Sequence, residues 1–248
     1  MKFSVCTDAL FSGMDTAQAL AKCASLGFGA VEFWYWPSKD IEKIAAASKE
    51  HGVEIAGFCT EPMNLVNPAR RGEFIRGLIE TATVAQKLGA KVLITQVGDD
   101  TGQPRDAQRS SIIDGLKEAA IALKNTNLVL AIEPLNALID HKGYYLTRSN
   151  DGFEIVKEVS DPHIKVLFDI YHQQVTEGNI VNNIEKNIEY IAHFHAAGLP
   201  GRHELTENEL NYDYVLAQID KMGYSGYIGL EYFPLAKPEK GLAALLSK

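Results

Sequence analysis

The sequence is poor in cysteine, and its three cysteines, Cys6, Cys23 and Cys59, form neither a CxxC nor a CxC pattern. Three cysteines cannot all pair with one another, so neither a disulfide framework nor a thiolate-rich metal site is indicated. Cys6 and Cys59 fall near the ends of the first and third predicted strands, where we expect small, inward-facing core residues. This cysteine usage is typical of a cytoplasmic protein.

Long apolar runs and an excess of basic residues are lacking as well. No apolar stretch approaches the roughly 18 residues of a membrane span, and the segment MKFSVCTDAL enters a strand pattern directly, so neither a span nor a signal peptide is expected. With 32 acidic against 24 basic residues the net charge is −8, which argues against a surface that coats nucleic acid. No Ser/Gly-rich tract or block of charge marks a linker.

The sequence does contain a regular alternation of strand-like and helix-like segments. Its 248 residues match the roughly 250 residues of one eight-unit barrel, and we predict a single domain over 1–248. Eight apolar runs alternate with stretches in which apolar residues recur at intervals near three and four. The predicted strands are 2–7, 30–34, 53–59, 91–96, 128–133, 164–169, 190–196 and 226–232. The predicted helices are 15–26, 39–50, 72–88, 106–124, 150–158, 180–188, 212–222 and 238–247.

Turn and cap residues agree with this alternation. Asp15 and Asn150 are predicted helix N-caps. A doubly wound open sheet also fits an alternating pattern, but no GxGxxG follows the first strand. A closed (β/α)8 TIM barrel of the α/β class fits better, because polar residues end four successive strands. Glycine is expected at helix C-termini, and it stands there at Gly27, Gly52, Gly89 and Gly223.

Four polar residues each end a separate apolar run: Glu133, Asp169, His195 and Glu231. They are 36, 26 and 36 residues apart, close to the roughly 30 residues of a strand–helix–strand unit. Alone, each would more often cap a helix or pair with a cation. Together, at the ends of consecutive barrel strands, they predict one divalent metal site. Mostly oxygen ligands favour Mg²⁺ or Mn²⁺, with Zn²⁺ or Co²⁺ as alternatives.

Several segments carry a family resemblance. AIEPLN, FDIYHQQ, HFHAAGLPGRHEL and GLEYFP resemble the corresponding segments of the xylose-isomerase-like barrels, especially the hydroxypyruvate isomerases, and VEFWYWP and YHQQVTEG resemble the latter branch. The resemblance covers nearly the whole chain. It implies that the four strand-end residues bind one metal, that Glu133 and Glu231 also move protons, and that His172 and Arg202 hold substrate oxygens. One position differs from the hydroxypyruvate isomerases, which usually have Gln where this chain has His195. Ketose 3-epimerases have His at this position, as this chain does.

The ligand set predicts a reaction class. A metal chelated by a carbonyl and an adjacent hydroxyl acidifies the neighbouring C–H and stabilises an enediolate. This chemistry predicts an isomerase or epimerase of a small hydroxy-carbonyl compound. The resemblance implies that it interconverts hydroxypyruvate and tartronate semialdehyde, with a 2-oxo-tetronate isomerase or a ketose 3-epimerase as the alternative. The expected partner is a small hydroxy-carbonyl or sugar substrate, with neither nucleic acid nor membrane, and a homo-oligomer is an open alternative.

Of three other functional classes, one stays open and two fit the sequence poorly. A lyase that dehydrates an inosose would use the same enolate chemistry and stays open. A hydrolase like the apurinic-site endonucleases needs additional histidines, and the ends of strands three and four offer Cys59, Thr60, Thr95 and Gln96 instead. The full set of ligands argues against a barrel that only binds a metabolite.

Other residues near the strand ends allow two interpretations. Glu32, by resemblance, hydrogen-bonds within the site or only closes a charge network. The aromatic stretch 33–36 excludes water above the metal or packs on the barrel rim. His193 shares strand parity with His195, and we interpret it as a hydrogen-bonded core histidine rather than a ligand. The loop 96–105 is predicted to shape the pocket. Loop residues without an assigned role are His203 and Glu204.

Overall fold

A computed structural model describes residues 1–62, 64–206 and 208–246. Eight parallel strands form a closed barrel in chain order, and the last strand pairs with the first. The predicted TIM-barrel fold is therefore confirmed. The strands are β1 Lys2–Cys6, β2 Ala30–Tyr35, β3 Glu54–Cys59, β4 Val92–Thr95, β5 Val129–Ile132, β6 Ile164–Asp169, β7 Ile191–Ala196 and β8 Tyr227–Leu230.

Helices surround the barrel and connect its strands. The α-helices are α1 Thr7–Leu10, α2 Thr16–Ser25, α3 Ile41–His51, α4 Arg71–Leu88, α5 Arg105–Leu123, α6 Ser149–Val159, α7 Ile170–Thr176, α8 Ile180–Asn187, α9 Tyr212–Lys221 and α10 Pro238–Leu246, with 3₁₀ turns at Pro68–Arg70 and Ile188–Tyr190. The predicted segments agree to within two residues at each end, apart from position 247 of the last helix, which lies outside the described residues. Within the described ranges, no helix is both long and apolar enough to cross a membrane.

The helix ends confirm one predicted cap and correct the other. Asp15 Oδ1 accepts a hydrogen bond from the backbone N–H of Gln18 at 3.2 Å, as an N-cap should. The prediction for Asn150 was wrong, because α6 begins at Ser149. The side-chain oxygen of Gln173 accepts from the Ser149 N–H at 2.9 Å and so replaces the cap. The predicted C-terminal glycines all have positive φ: Gly27, Gly52, Gly89 and Gly223.

Two short helices escaped prediction. They are α1 and α7, and each begins directly after a strand without an intervening turn. In α7, the carboxylate of Asp169 caps the helix by accepting from the N–H groups of Tyr171 and His172 at 2.8 and 3.1 Å. Such a helix is too short to show an apolar period, so the sequence pattern could not reveal it.

The interior of the barrel determines where the polar strand ends point. A small apolar cluster of Ile94, Ala131 and Leu167 lies apart from the main core, which fills the space between the barrel and the helices. Because side chains on a strand alternate between two faces, residues two positions after Ala131 and Leu167 share their inward direction. These residues are Glu133 and Asp169, so strand alternation brings both carboxylates to the carboxyl end of the barrel.

Candidate active site

The structure brings the four strand-end residues together: Glu133, Asp169, His195 and Glu231. All four are buried, and one ligand atom of each lies within 4.8 Å of the others. His195 Nδ1 is 3.3 Å from Glu133 Oε1 and 3.4 Å from Glu231 Oε2. Among the described residues, Glu133 Oε1, Asp169 Oδ2 and His195 Nδ1 have no hydrogen-bond partner. Buried polar atoms without a partner are rare in folded proteins, so this donor set fits a divalent cation.

The charges of the cluster point to the same conclusion. Burial raises the pKa of Glu133 and of Asp169, and the nearby carboxylate of Glu231 acts in the same direction. Burial by itself would lower the pKa of His195, but the carboxylates of Glu231 and Glu32 raise it well above its ordinary value. A divalent cation would offset this concentration of buried negative charge.

Glu32 lies directly beneath the cluster and orients its histidine. Glu32 Oε1 is 3.0 Å from His195 Nε2, and Glu32 Oε2 is 2.8 Å from His193 Nε2 and accepts from Ser4 Oγ at 2.6 Å. His195 therefore turns Nδ1 toward the carboxylates, and His193 is the hydrogen-bonded core histidine expected from strand parity. Gly229 makes room for this arrangement, because a Cβ there would lie 2.3 Å from Glu32 Oε1.

His172 and Arg202, the predicted substrate contacts, both border the cluster. His172 Nε2 is 3.5 Å from Asp169 Oδ2, and Arg202 forms an ion pair with Glu231 and lies 3.7 Å from Asp169 Oδ2. The guanidinium also stands 5.4 Å from the ring of Tyr171. Burial and the positive charge of Arg202 lower the pKa of His172 well below its ordinary value.

The aromatic stretch 33–36 at the end of β2 agrees partly with each interpretation, since one residue contacts the site and others pack on the barrel. Trp34 Nε1 donates to Glu231 Oε1 at 2.6 Å, so this residue belongs to the site. Phe33 instead stacks on Phe58 at 4.9 Å between ring centroids, and Trp36 donates to a threonine hydroxyl on α4 at 3.0 Å. Only part of the stretch therefore covers the cluster.

The cluster opens into a cavity of about 220 Å³. Sequence reasoning had placed His172, Arg202, Glu133 and Glu231 here, and the rim loop contributes Gln96. Cys59, predicted as an inward-facing core residue, does pack against the small apolar cluster inside the barrel, but it is only half-buried because β3 ends at the cavity. The lining is Trp34, Tyr35, Cys59, Gln96, Glu133, Leu135, His141, His172, Arg202, Glu231 and Phe233.

Several of these lining residues had no signal in the sequence beyond their place in βα loops. Leu135 and His141 follow β5, and Phe233 follows β8. His203 and Glu204 hold the two last loops together without lining this cavity. His203 Nδ1 is 2.7 Å from the carbonyl oxygen of Phe233, and Glu204 accepts from the N–H of Leu235 at 3.2 Å.

A closed eight-stranded parallel barrel with a buried carboxylate and histidine cluster at its carboxyl end defines the class of this protein. The family model described as "Xylose isomerase-like TIM barrel" matches residues 20–248. The chain belongs to this family, as the resemblance of its motifs implied.

Three known proteins show how far the similarity extends. The chain is 34% identical to the 2-oxo-tetronate isomerase of Cupriavidus necator, over 91% of this chain and 90% of that protein. It is 30% identical to the hydroxypyruvate isomerase of Escherichia coli, over 98% and 97% of the two chains. A crystal structure described as an AP endonuclease, family 2, from Brucella melitensis superposes with a TM-score of 0.95 at 29% identity, over 99% and 98% of the chains.

Proposed function

We propose that this isomerase interconverts hydroxypyruvate and tartronate semialdehyde through an enediolate, with one divalent metal ion held by Glu133, Asp169, His195 and Glu231. The observation that carries the proposal is a set of buried ligand atoms that have no hydrogen-bond partner among the described residues and lie beside a buried arginine, at a cavity of about 220 Å³. The oxygen-rich donor set favours Mn²⁺ or Mg²⁺, with Zn²⁺ or Co²⁺ as alternatives. When bound, the cation polarises the substrate carbonyl and acidifies the neighbouring C–H.

Arg202 supports a substrate with a carboxylate. Its guanidinium lines the cavity and is largely buried, with 11% of the side chain exposed. A planar guanidinium binds a carboxylate through two parallel hydrogen bonds, and hydroxypyruvate carries this group next to its carbonyl. His172 lines the same cavity and would contact a second substrate oxygen. Together they would hold the reacting carbons between the two glutamates.

Glu133 and Glu231 are the proposed proton carriers. Both lie within 3.4 Å of His195 Nδ1, on strands separated around the barrel by β6 and β7, so they face the cavity from different sides. One carboxylate removes a proton from the hydroxymethyl carbon, which leaves the enediolate. The other returns a proton to the former carbonyl carbon, while the hydroxyl proton moves between the two oxygens.

A 2-oxo-tetronate isomerase is the second candidate. The relative from Cupriavidus necator bears this name and shares 34% identity with the chain. Its substrate class keeps the 2-oxo acid end that Arg202 would bind and adds one further hydroxylated carbon. The same residues would carry the reaction, so only the distal part of the cavity separates the two substrates.

Proton NMR in D₂O tests the proposal on protein stripped of metal, reconstituted with Mn²⁺ and then desalted. Hydroxypyruvate, a 2-oxo-tetronate and D-fructose are incubated separately while exchange and product are followed. Turnover of hydroxypyruvate would support the leading assignment, and turnover of the tetronate alone would select the second candidate. Turnover confined to fructose would indicate a ketose 3-epimerase, in agreement with the histidine at position 195. If none of the three compounds reacts, the proposal is contradicted and a lyase is favoured.

Two conservative variants test the proton carriers. Glu133→Gln and Glu231→Gln should abolish turnover far more than they weaken substrate binding, because the amide keeps the shape of the side chain but cannot accept a proton. The exposed Glu154→Gln on α6 is the matched control. Metal content is measured on every variant, and an equal loss of binding and rate at full metal content would exclude the proton-transfer role.

A further inference from the structure

The side chain of Asn136 is fully buried, and its orientation follows from its partners. Asn136 Oδ1 accepts from the backbone N–H groups of Ile139 and Asp140 at 3.0 and 3.1 Å. Backbone N–H groups only donate, so the atom facing them must be the amide oxygen. The amide nitrogen therefore points the other way, where it donates to Asp140 Oδ2 at 2.6 Å and lies 2.6 Å from His172 Nδ1.

His172 Nδ1 consequently faces two groups that can only donate. One is the Asn136 side-chain amide, and the other is the Asn136 backbone N–H at 3.3 Å. A proton on Nδ1 would point at both donors, so Nδ1 must act as an acceptor. An imidazole whose Nδ1 accepts hydrogen bonds in this way carries its proton on Nε2.

We propose that Asn136 is a positioning residue that fixes His172 as the Nε2–H tautomer, so that His172 presents a hydrogen-bond donor to a substrate oxygen. Nε2 is buried, has no hydrogen-bond partner in the part of the chain that the structure describes, and stands 3.5 Å from Asp169 Oδ2. Because His172 also lines the cavity, the N–H is available to an oxygen bound there.

The tautomer of His172 follows from the hydrogen bonds alone, whereas the donation to a substrate oxygen rests on the proposed function. A donor beside the reacting carbons stabilises an oxygen that gains negative charge, whereas the other tautomer would turn a lone pair toward it. The loss of one hydrogen bond to a charged oxygen corresponds to a decrease of roughly 10- to 100-fold in kcat. The tautomer itself can be measured without any turnover.

The test is a long-range ¹H–¹⁵N correlation spectrum of the full-length, ¹⁵N-labelled protein, in which the His172 signals are assigned by their loss in His172→Gln. The expected pattern has a protonated Nε2 and an unprotonated Nδ1. The double variant Asn136→Asp/Asp140→Asn exchanges amide and carboxylate at unchanged net charge and should move the proton to Nδ1. Asp140→Asn alone keeps the amide donor of Asn136 and should retain the Nε2–H pattern.

Either of two results would overturn the inference: a protonated Nδ1 in the parent protein, or an unchanged His172 pattern in the folded double variant. If the double variant does not fold, the parent spectrum still decides the tautomer. In the isomerase assay, the double variant should lose roughly 10- to 100-fold in kcat and Asp140→Asn much less. An inactive parent protein with the Nε2–H pattern would contradict the proposed function and leave the tautomer assignment standing.

Discussion

The two oxygens of Asp169 have different roles, one in capping a helix and one in the proposed metal site, and the substitution Asp169→Asn should affect only the second. Asp169 Oδ1 caps α7 by accepting two backbone hydrogen bonds, whereas Oδ2 is buried without a hydrogen-bond partner among the described residues. Asparagine keeps an oxygen at the capping position and replaces the free carboxylate oxygen by an amide nitrogen, which cannot bind a cation. The apo variant should therefore fold with little change in stability, because the cap remains and one buried negative charge is removed.

The expected effect of the cation follows from mass action. A cation present at about 100 times its Kd stabilises the native state by about 2.7 kcal/mol. For a chain of this size, 1 kcal/mol raises Tm by about 2–4 °C, so Mn²⁺ should raise the Tm of the parent protein by about 5–10 °C. If the substitution weakens binding about 100-fold, the same Mn²⁺ concentration contributes only about 0.4 kcal/mol, or about 1–2 °C.

Differential scanning calorimetry of metal-stripped protein, with and without Mn²⁺, measures both shifts. Asp106→Asn in the exposed first turn of α5 is the matched control and should keep the full shift. The reasoning would be refuted by an absent Mn²⁺ shift in the parent protein, or by an equal shift in Asp169→Asn.

Three further substitutions test other parts of the site. Trp34→Phe removes the N–H that donates to Glu231 at 2.6 Å, so kcat should fall about 10-fold or more with little change in KM. An unchanged kcat in steady-state assays would mean that the hydrogen bond to Glu231 does not contribute to turnover. Arg202→Lys keeps the charge but loses the planar fork, so KM for hydroxypyruvate should rise about 10-fold, and an unaltered KM would mean that the carboxylate binds elsewhere. Gly229→Ala would place a Cβ 2.3 Å from Glu32 Oε1. This overpacking should lower the free energy of unfolding by about 1–3 kcal/mol. A urea midpoint equal to that of the parent protein would argue against the close approach.

Most of the fold could be predicted because its signals are local. Strand β6 was predicted with its observed bounds, Ile164–Asp169, since a short apolar run between turn signals is a sufficient cue. The start of α6 was missed by one residue because Gln173, 24 residues away in sequence, accepts from the Ser149 N–H. No local pattern contains that contact. Helix α7 was missed because the side chain that caps it, Asp169, also reads as the end of a strand.

The sequence by itself determined which residues converge at the carboxyl end of the barrel. A strand period of two directs side chains inward, and the repeated βα unit brings each strand end to the same rim. These two regularities were enough to select Glu133, Asp169, His195 and Glu231 before their distances were known.

Only the tertiary structure decided what surrounds these four residues. Trp34 donates to Glu231 across a sequence separation of 197 residues, and Gly229 on β8 leaves space for the carboxylate of Glu32 on β2. Asn136 faces His172 because the loop after β5 and helix α7 meet above the barrel. Such contacts depend on barrel closure, loop paths and side-chain rotamers, which no periodicity along the chain encodes.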